Sequence, residues 1–474
     1  MPLTAPTPSR DDPTIEAASA AIGGPLGRYA ASGSPWWTPI RILLAIAAIT
    51  LLLGYAEKSP CADGQWVHSL QYTHACYSDV IPLWDAEGLS DGAVPYRDHA
   101  VEYPVITGGF MWVTAELTRG WHSVAVDGSL PGKSELVVFG VISCLLLALT
   151  GLLAVAATAG AAGPRRRWDA AIFAASPLLI FHAFSNWDLI AMAFTSGALW
   201  AWARNRPVAA GILIGLGAAA KLYPALLIFP LLLLAYRTRV WRPVVWTAVA
   251  AILTWLVVNV PVALAWRTGW WEFYKFSEQR PAEASTLWAM LKHFYPATFG
   301  DPNSSAWSPP GIAVGALFAI TLVAIGWLSL KAPERPRLAQ LMFLTVAAFL
   351  LTTKVWSPQY SLWLVPLLAL ARPRWRLAIL WQLSEIAVWI GTLLWLLSGT
   401  DQFKSLTYEG LTGILLTRDA VLLLLVGLVV WEIWQPDRDG VRTAEDPDPG
   451  AGLFNCVMAP TAQYADGRGR PDPD

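Results

Sequence analysis

The feature that most constrains this chain is a succession of apolar segments separated by very short loops, several of which carry clustered arginine. A soluble domain has about 25% charged residues; here charged residues make up 14% and hydrophobic ones 55%. A chain of this kind satisfies its backbone in lipid by forming helices. With spans sought at about 20 residues, and shorter ones admitted inside a bundle, candidates fall at Arg41–Ala56, Glu102–Leu117, Leu136–Ala162, Ala170–Ser185, Leu189–Ala203, Pro207–Ala220, Leu222–Tyr236, Val244–Ala265, Ile312–Leu330, Leu338–Leu351, Ser361–Leu370, Leu377–Leu397 and Leu411–Trp434. The expected fold is an all-α polytopic membrane domain over 41–434. A polar, Ala/Pro/Ser/Gly-rich tail (1–40) and an Asp/Pro/Gly-rich tail (435–474) have the composition of disordered segments.

Basic clusters set the expected orientation. Arg165-Arg166-Arg167, Arg204 with Arg206, Arg237 with Arg239 and Arg242, Lys331 with Arg335 and Arg337, and Arg372 with Arg374 and Arg376 all sit in short loops. Such loops face the cytoplasm. Two crossings must separate each consecutive pair, and the segments supply two each time. With a cytoplasmic N-terminus the first span delivers loop 57–134 outside, and one further full crossing fits before Arg165. Leu136–Ala162 is the better spanner. Glu102–Leu117, interrupted by Pro104 and two glycines, therefore reads as re-entrant or interfacial. The expectation is about 12 transmembrane helices in a cell membrane, both termini cytoplasmic, with external loops 57–134 and 266–308. The second loop, with Trp270, Trp271 and Tyr274, is expected to form interfacial helices. Cys61 and Cys76 share the first loop, where an oxidising exterior permits a disulfide. A net charge of −1 gives no case for nucleic acid.

In this topology the polar groups near membrane depth fall on the external side: Asn186-Trp187-Asp188, the Lys221 turn, and the run from Lys354 through Ser357, Gln359 and Tyr360. Ionisable groups at that depth are costly and point to function. An external site has no nucleotide supply, so a sugar donor there must be membrane-borne with its phosphate among the headgroups. Transfer needs a carboxylate to take the acceptor's proton and cations for the departing phosphate. Asp79 and Glu102 are the candidate carboxylates. Lys221, Lys354 and Arg97 are the candidate cations, and Asp98, Asn186, Asp188, Ser357, Gln359 and Tyr360 are further candidate substrate contacts.

Each residue also has a plainer role. Asp79 serves equally as a solvated loop acid or helix cap, and Arg97-Asp98 as a local ion pair. Asn186 and Asp188 are turn formers, and Lys221 can snorkel to the interface. Ser357, Gln359 and Tyr360 can satisfy backbone freed by Pro358. His182 reads as a packed, hydrogen-bonded core group; Asp85, Glu87 and Asp91 read as solvated. No cluster of His, Asp and Glu argues for a metal, so no cofactor is expected.

Four runs in order, PYRDHAVEYPV (95–105), SPLLIFHAFSNWDLIAMA (176–193), GILIGLGAAAKLYPALLIFP (211–230) and TKVWSPQYSLWLVPL (353–367), resemble actinobacterial glycosyltransferase family 87. The resemblance covers roughly Arg41 to Trp434. It implies a member of the C superfamily (GT-C-like), whose polytopic enzymes use polyprenyl-phosphate sugars, the best-known being mannosyltransferases that extend cell-envelope mannolipids. It implies a catalytic carboxylate in the first external loop, for which Asp79 is the closest match with Asp98 and Glu102 as rivals, and inversion at the sugar carbon by one displacement. Some superfamily members need a divalent cation. The expected partners are a polyprenyl-phosphate sugar, a glycolipid or lipoglycan acceptor and the bilayer. A lipid-linked substrate transporter or flippase, or a non-catalytic envelope-assembly protein, stand as the alternatives; polar groups confined to one face and the lack of a clear repeat disfavour transport.

Overall fold

A computed structural model describes residues 13–14, 17–18, 36–126, 128–299, 309, 311–401, 403–443 and 446–457. Among the described residues there are helices and no β-strand. The longer helices are α1 (Pro39–Lys58), α2 (Val105–Val126), α3 (Glu135–Ala161), α4 (Asp188–Ala203), α5 (Pro207–Ala220), α6 (Ile228–Thr238), α7 (Trp241–Ala265), α8 (Arg267–Gln279), α9 (Leu287–Phe294), α10 (Gly311–Lys331), α11 (Leu338–Thr352), α12 (Leu364–Ala371), α13 (Trp375–Leu396) and α14 (Tyr408–Trp434). Among the described residues, six are long and apolar enough to cross a membrane: α1, α3, α7, α10, α13 and α14. The chain is a multi-pass membrane protein.

Small residues bring the bundle together. A Cβ on Gly211 would lie 2.2 Å from the Thr247 carbonyl oxygen, and one on Gly215 would lie 2.5 Å from that of Ala251. α5 therefore packs backbone to backbone on α7, which is how small residues four apart join membrane helices.

Three expected segments take other forms. Glu102–Leu117 is not broken by its glycines: α2 starts directly after Pro104 and runs unbroken for 22 residues. Gly108 is needed because the Tyr96 hydroxyl sits where its Cβ would be, 2.1 Å away. Ala170–Ser185 is not one helix. It splits into Ala171–Ala174 and Pro177–His182, because Pro177 cannot donate the bond that would continue the first helix. Ser361–Leu370 is a 3-10 turn, Pro358–Trp363, followed by the eight residues of α12. The loop at 266–308 forms α8 and α9; residues 300–308 lie outside those described, as does most of the tail 1–40.

The C-terminal segment differs from the disordered tail expected after 434. Residues 436–443 and 446–455 lie across the basic loops. Asp439 takes Arg337 through both carboxylate oxygens at 2.7 and 2.9 Å, and Arg335 reaches Asp448 at 3.3 Å. Arg166 Nη1 donates to the Gly440 carbonyl at 3.1 Å. Trp202, beside Arg204, donates to the Ala451 carbonyl at 2.9 Å and packs against Phe454, the tilted rings 5.0 Å apart. Arg237 joins through the carbonyls of Ser329 and Ala332. The basic loops thus share one end of the molecule.

At the other end, Cys61 and Cys76 are joined by a disulfide with Cα atoms 5.7 Å apart. The bridge closes a loop of 15 residues, for which chain-entropy arguments give about 3 kcal/mol. Replacing both cysteines by alanine is expected to lower the thermal midpoint of the detergent-solubilised protein by several degrees. An unchanged midpoint would show that the surrounding packing holds the loop unaided.

Candidate active site

The turn after the disulfide is pinned to a turn between helices. The Asp79 amide donates to the Ser185 carbonyl at 2.8 Å, and Ser78 Oγ donates to the Phe184 carbonyl at 2.6 Å. This sets the Asp79 carboxylate beside Asn186, whose Nδ2 donates to Asp79 Oδ2 at 2.7 Å and to the Tyr103 hydroxyl at 2.9 Å. Gln359 Nε2 approaches the same carboxylate oxygen at 3.5 Å, and Tyr77 lies beside the carboxylate. Segments separated by hundreds of residues therefore meet on one side chain.

Lys221 stands behind Asn186. α5 ends where Lys221 adopts extended geometry, three residues before Pro224, a common helix stop. Its Nζ donates to Asp188 Oδ2 at 2.9 Å and to Asn186 Oδ1 at 3.4 Å. Trp363 Nε1 donates to the other Asp188 oxygen at 2.7 Å. Beneath lie three stacked rings: Tyr223 on Trp363 and Trp363 on Tyr360, each pair 4.2 Å apart, with Lys221 Nζ 4.9 Å from the Tyr360 centroid. The ammonium is thus paired and nearly enclosed, with 14% of its side chain exposed.

Asp79 lines a cavity of about 280 Å³ together with Tyr77, Arg280, Glu283, Ser357 and Gln359. The opposite wall is apolar, built from Trp389, Leu393, Trp395 and Leu396 of α13. Two loops are stitched together to form the polar wall. The Glu283 amide donates to the Lys354 carbonyl at 2.9 Å, Ser357 Oγ donates to Glu283 Oε1 at 2.7 Å, and Arg280 Nη2 pairs with the same oxygen. Behind them Arg418 donates to the Ser285 carbonyl at 2.8 Å, lies 3.6 Å over the Trp356 ring and faces Glu385 at 3.5 Å.

Burial raises the Asp79 pKa above the ordinary carboxylate value; the Asn186 hydrogen bond, the nearby Tyr77 hydroxyl and the charges of Lys221 and Arg280 oppose the rise. Glu102 is also raised, by burial first, with Arg280 opposing and the Asp79 charge adding to it. Glu283 rises for the same first reason, opposed by Arg280 and Ser357.

The structure thus gathers Asp79, Asn186, Asp188, Lys221, Ser357, Gln359 and Tyr360, with Glu102 within electrostatic reach. Other expected residues stand apart. Arg97 and Asp98 form an exposed pair at 2.8 Å; the Arg97 hydrogen bonds first, and the Val94 amide that Asp98 caps second, hold the carboxyl down at about pKa 2. Lys354 Nζ donates to the Glu278 carbonyl at 2.6 Å, so it ties the two loops. Two core readings need correction. Glu87 is buried, not solvated, 3.6 Å from His99, and burial beside Glu102 pushes its pKa up to about 8. His182 is buried, but neither ring nitrogen has a hydrogen-bond partner; it packs edge-on against Trp389 at 5.2 Å. Arg280 and Glu283 were missed from sequence. Their signal was a charged pair three residues apart around Pro281, where α8 stops. Among the described residues no three His, Cys, Asp or Glu side chains gather closely enough to hold a metal ion.

Residues 124–358 match the family model for glycosyltransferase family 87. The matched stretch contains Asn186, Asp188, Lys221, Arg280, Glu283, Lys354 and Ser357, whereas Asp79 and Glu102 precede it and Gln359 and Tyr360 just follow it. No curated protein matches the chain.

Proposed function

Because the chain belongs to glycosyltransferase family 87, a family of membrane glycosyltransferases, we propose that it transfers a hexose, mannose in the first instance, from a polyprenyl-phosphate sugar to an envelope glycolipid or lipoglycan at the external face. The observation that carries this reading is the single cavity that has Asp79 and Arg280 on one wall and α13 aromatic and aliphatic side chains on the other. A carboxylate and a guanidinium suit a sugar phosphate, and the apolar wall suits the start of a lipid chain. In the reaction the acceptor hydroxyl passes its proton to Asp79 as its oxygen attacks the anomeric carbon. The bond from that carbon to the phosphate oxygen breaks, and the phosphate leaves with the electron pair toward Arg280. Attack opposite the leaving group inverts the centre. Asn186 holds Asp79 in place, and Lys221, itself fixed by Asp188, holds Asn186.

Two features support the external placement. A disulfide in the loop that carries Asp79 fits an oxidising compartment, and the basic loops converge on the opposite end. The test reconstitutes the purified full chain with radiolabelled polyprenyl-phosphate mannose and envelope glycolipids. Transfer to a lipid product supports the reading, and the absence of transfer from any polyprenyl-linked hexose refutes it. In intact cells a cysteine at exposed Asp91 should react with an impermeant thiol reagent and one at exposed Arg206 should not. Labelling at 206 alone would reverse the orientation.

A further inference from the structure

A second, smaller cavity lies at the basic end. Arg166, Arg372, Arg374, Glu432 and Asp439 line a space of about 50 Å³. Arg374 immediately precedes α13, whose far end forms the apolar wall of the Asp79 cavity. At 1.5 Å per residue from Trp375 to Thr392, the two cavities are about 25 Å apart along that helix.

Most of the acceptors on this lining are already engaged. Asp439 receives Arg337 twice, Gln340 Nε2 at 3.1 Å and the Val441 amide at 3.1 Å. Glu432 receives Arg372 Nε at 2.9 Å. Arg166 spends Nε and Nη2 on Asp169 at 2.6 and 3.2 Å and Nη1 on Gly440. The donors are not all used. Arg372 Nη1 is buried without a partner. Half-buried Arg374 makes no side-chain hydrogen bond or ion pair among the described residues. Its guanidinium lies against Gly440, where a Cβ would stand 2.5 Å from Nη2. A guanidinium cannot shed its charge, and leaving its donors unsatisfied away from water is costly. Guanidinium forks match a tetrahedral oxyanion.

We propose that this cavity binds a phosphate oxyanion through Arg374 and the spare Arg372 donor. The group comes either from an anionic phospholipid headgroup or from free phosphate. The inference does not depend on the sugar-transfer reading, because site and ligand lie at the other end of the bundle.

The test uses the full-length protein, delipidated in a neutral detergent. Its thermal midpoint is followed while dihexanoyl-phosphatidylglycerol, or sodium phosphate against sodium chloride of equal ionic strength, is titrated in. A saturable upward shift is expected. Arg374→Gln should weaken the apparent affinity about tenfold, the loss expected for one charge-assisted contact, with Arg374→Lys intermediate. Arg206→Gln, on a neighbouring basic loop, should bind as wild type. A shift with both probes assigns the phosphate group alone, and a shift with the lipid only assigns the headgroup. No saturable shift with either probe, unchanged affinity in Arg374→Gln, or an equal loss in Arg206→Gln would overturn the proposal; the last would show diffuse charge attraction. If Arg374→Gln does not fold, Arg374→Lys decides by the same criterion.

Discussion

Asp79→Asn is expected to lower the turnover of sugar transfer by about 10³-fold, within the range for removing a general base, with little change in donor KM. Asparagine fills the same space and retains a carbonyl oxygen for the Asn186 donor, so the Asp79 turn stays in place and only proton acceptance is lost. As the proposed base the carboxylate must be deprotonated, so activity should fall as pH drops through its pKa. Burial has raised that pKa, so the acid limb of the wild-type profile lies above the ordinary Asp value of about 3.9. The Asn186 hydrogen bond favours the charged form and opposes the rise. Asn186→Ala should therefore move the limb to still higher pH. The measurement is kcat against pH for wild type and both variants. A limb in Asn186→Ala at or below the wild-type position would remove Asp79 from the role of base.

The second large effect is at Arg280. Arg280→Ala should lower turnover about 100-fold, the scale for losing one group that stabilises charge in the transition state, and raise donor KM as well, because the donor phosphate is charged before and after the bond breaks. Arg280→Lys keeps the charge but loses the fork, and should recover part of the rate. Loss of Arg280 also strips Glu283 of a partner, which by itself could loosen the wall. Glu283→Gln in the Arg280→Ala background relieves that orphaned carboxylate. If the double variant regains wild-type turnover, Arg280 only props up Glu283 and the phosphate role is lost. By contrast Lys354, tied to the Glu278 carbonyl, supports the loop junction.

Much of this was legible in the sequence because it follows from local chemistry. Apolar length and arginine clusters mark the helices and the end that gathers the basic loops. The first polar loop supplies both the disulfide cysteines and Asp79. What sequence could not reveal is pairing across distance. Lys221 read as a candidate phosphate cation or a snorkelling side chain, yet Asp188, 33 residues earlier, meets it at 2.9 Å. Gly108 read as a helix interruption, whereas it makes room for the Tyr96 hydroxyl. The Asp-rich tail looked unable to fold, and alone it has little to bury. Asp439 and Asp448 are ordered by arginines about a hundred residues away, and Phe454 by Trp202.

The helices differ greatly in reach. α4, α5 and α11 have 16, 14 and 15 residues, about 21–24 Å at 1.5 Å per residue. α3, α7 and α14 have 27, 25 and 27, about 37–40 Å. A bilayer's hydrocarbon core is about 30 Å thick. Each short helix has a basic loop at one end and a part of the reaction site or its walls at the other. Measured from the basic end, the short helices therefore stop below the long ones, and the candidate site gathers at their tips. On the proposed reading, a donor headgroup at the tips of these short helices lies level with the carboxylate while its tail stays in oil, so a lipid-borne reactant need not be lifted out of the membrane to react.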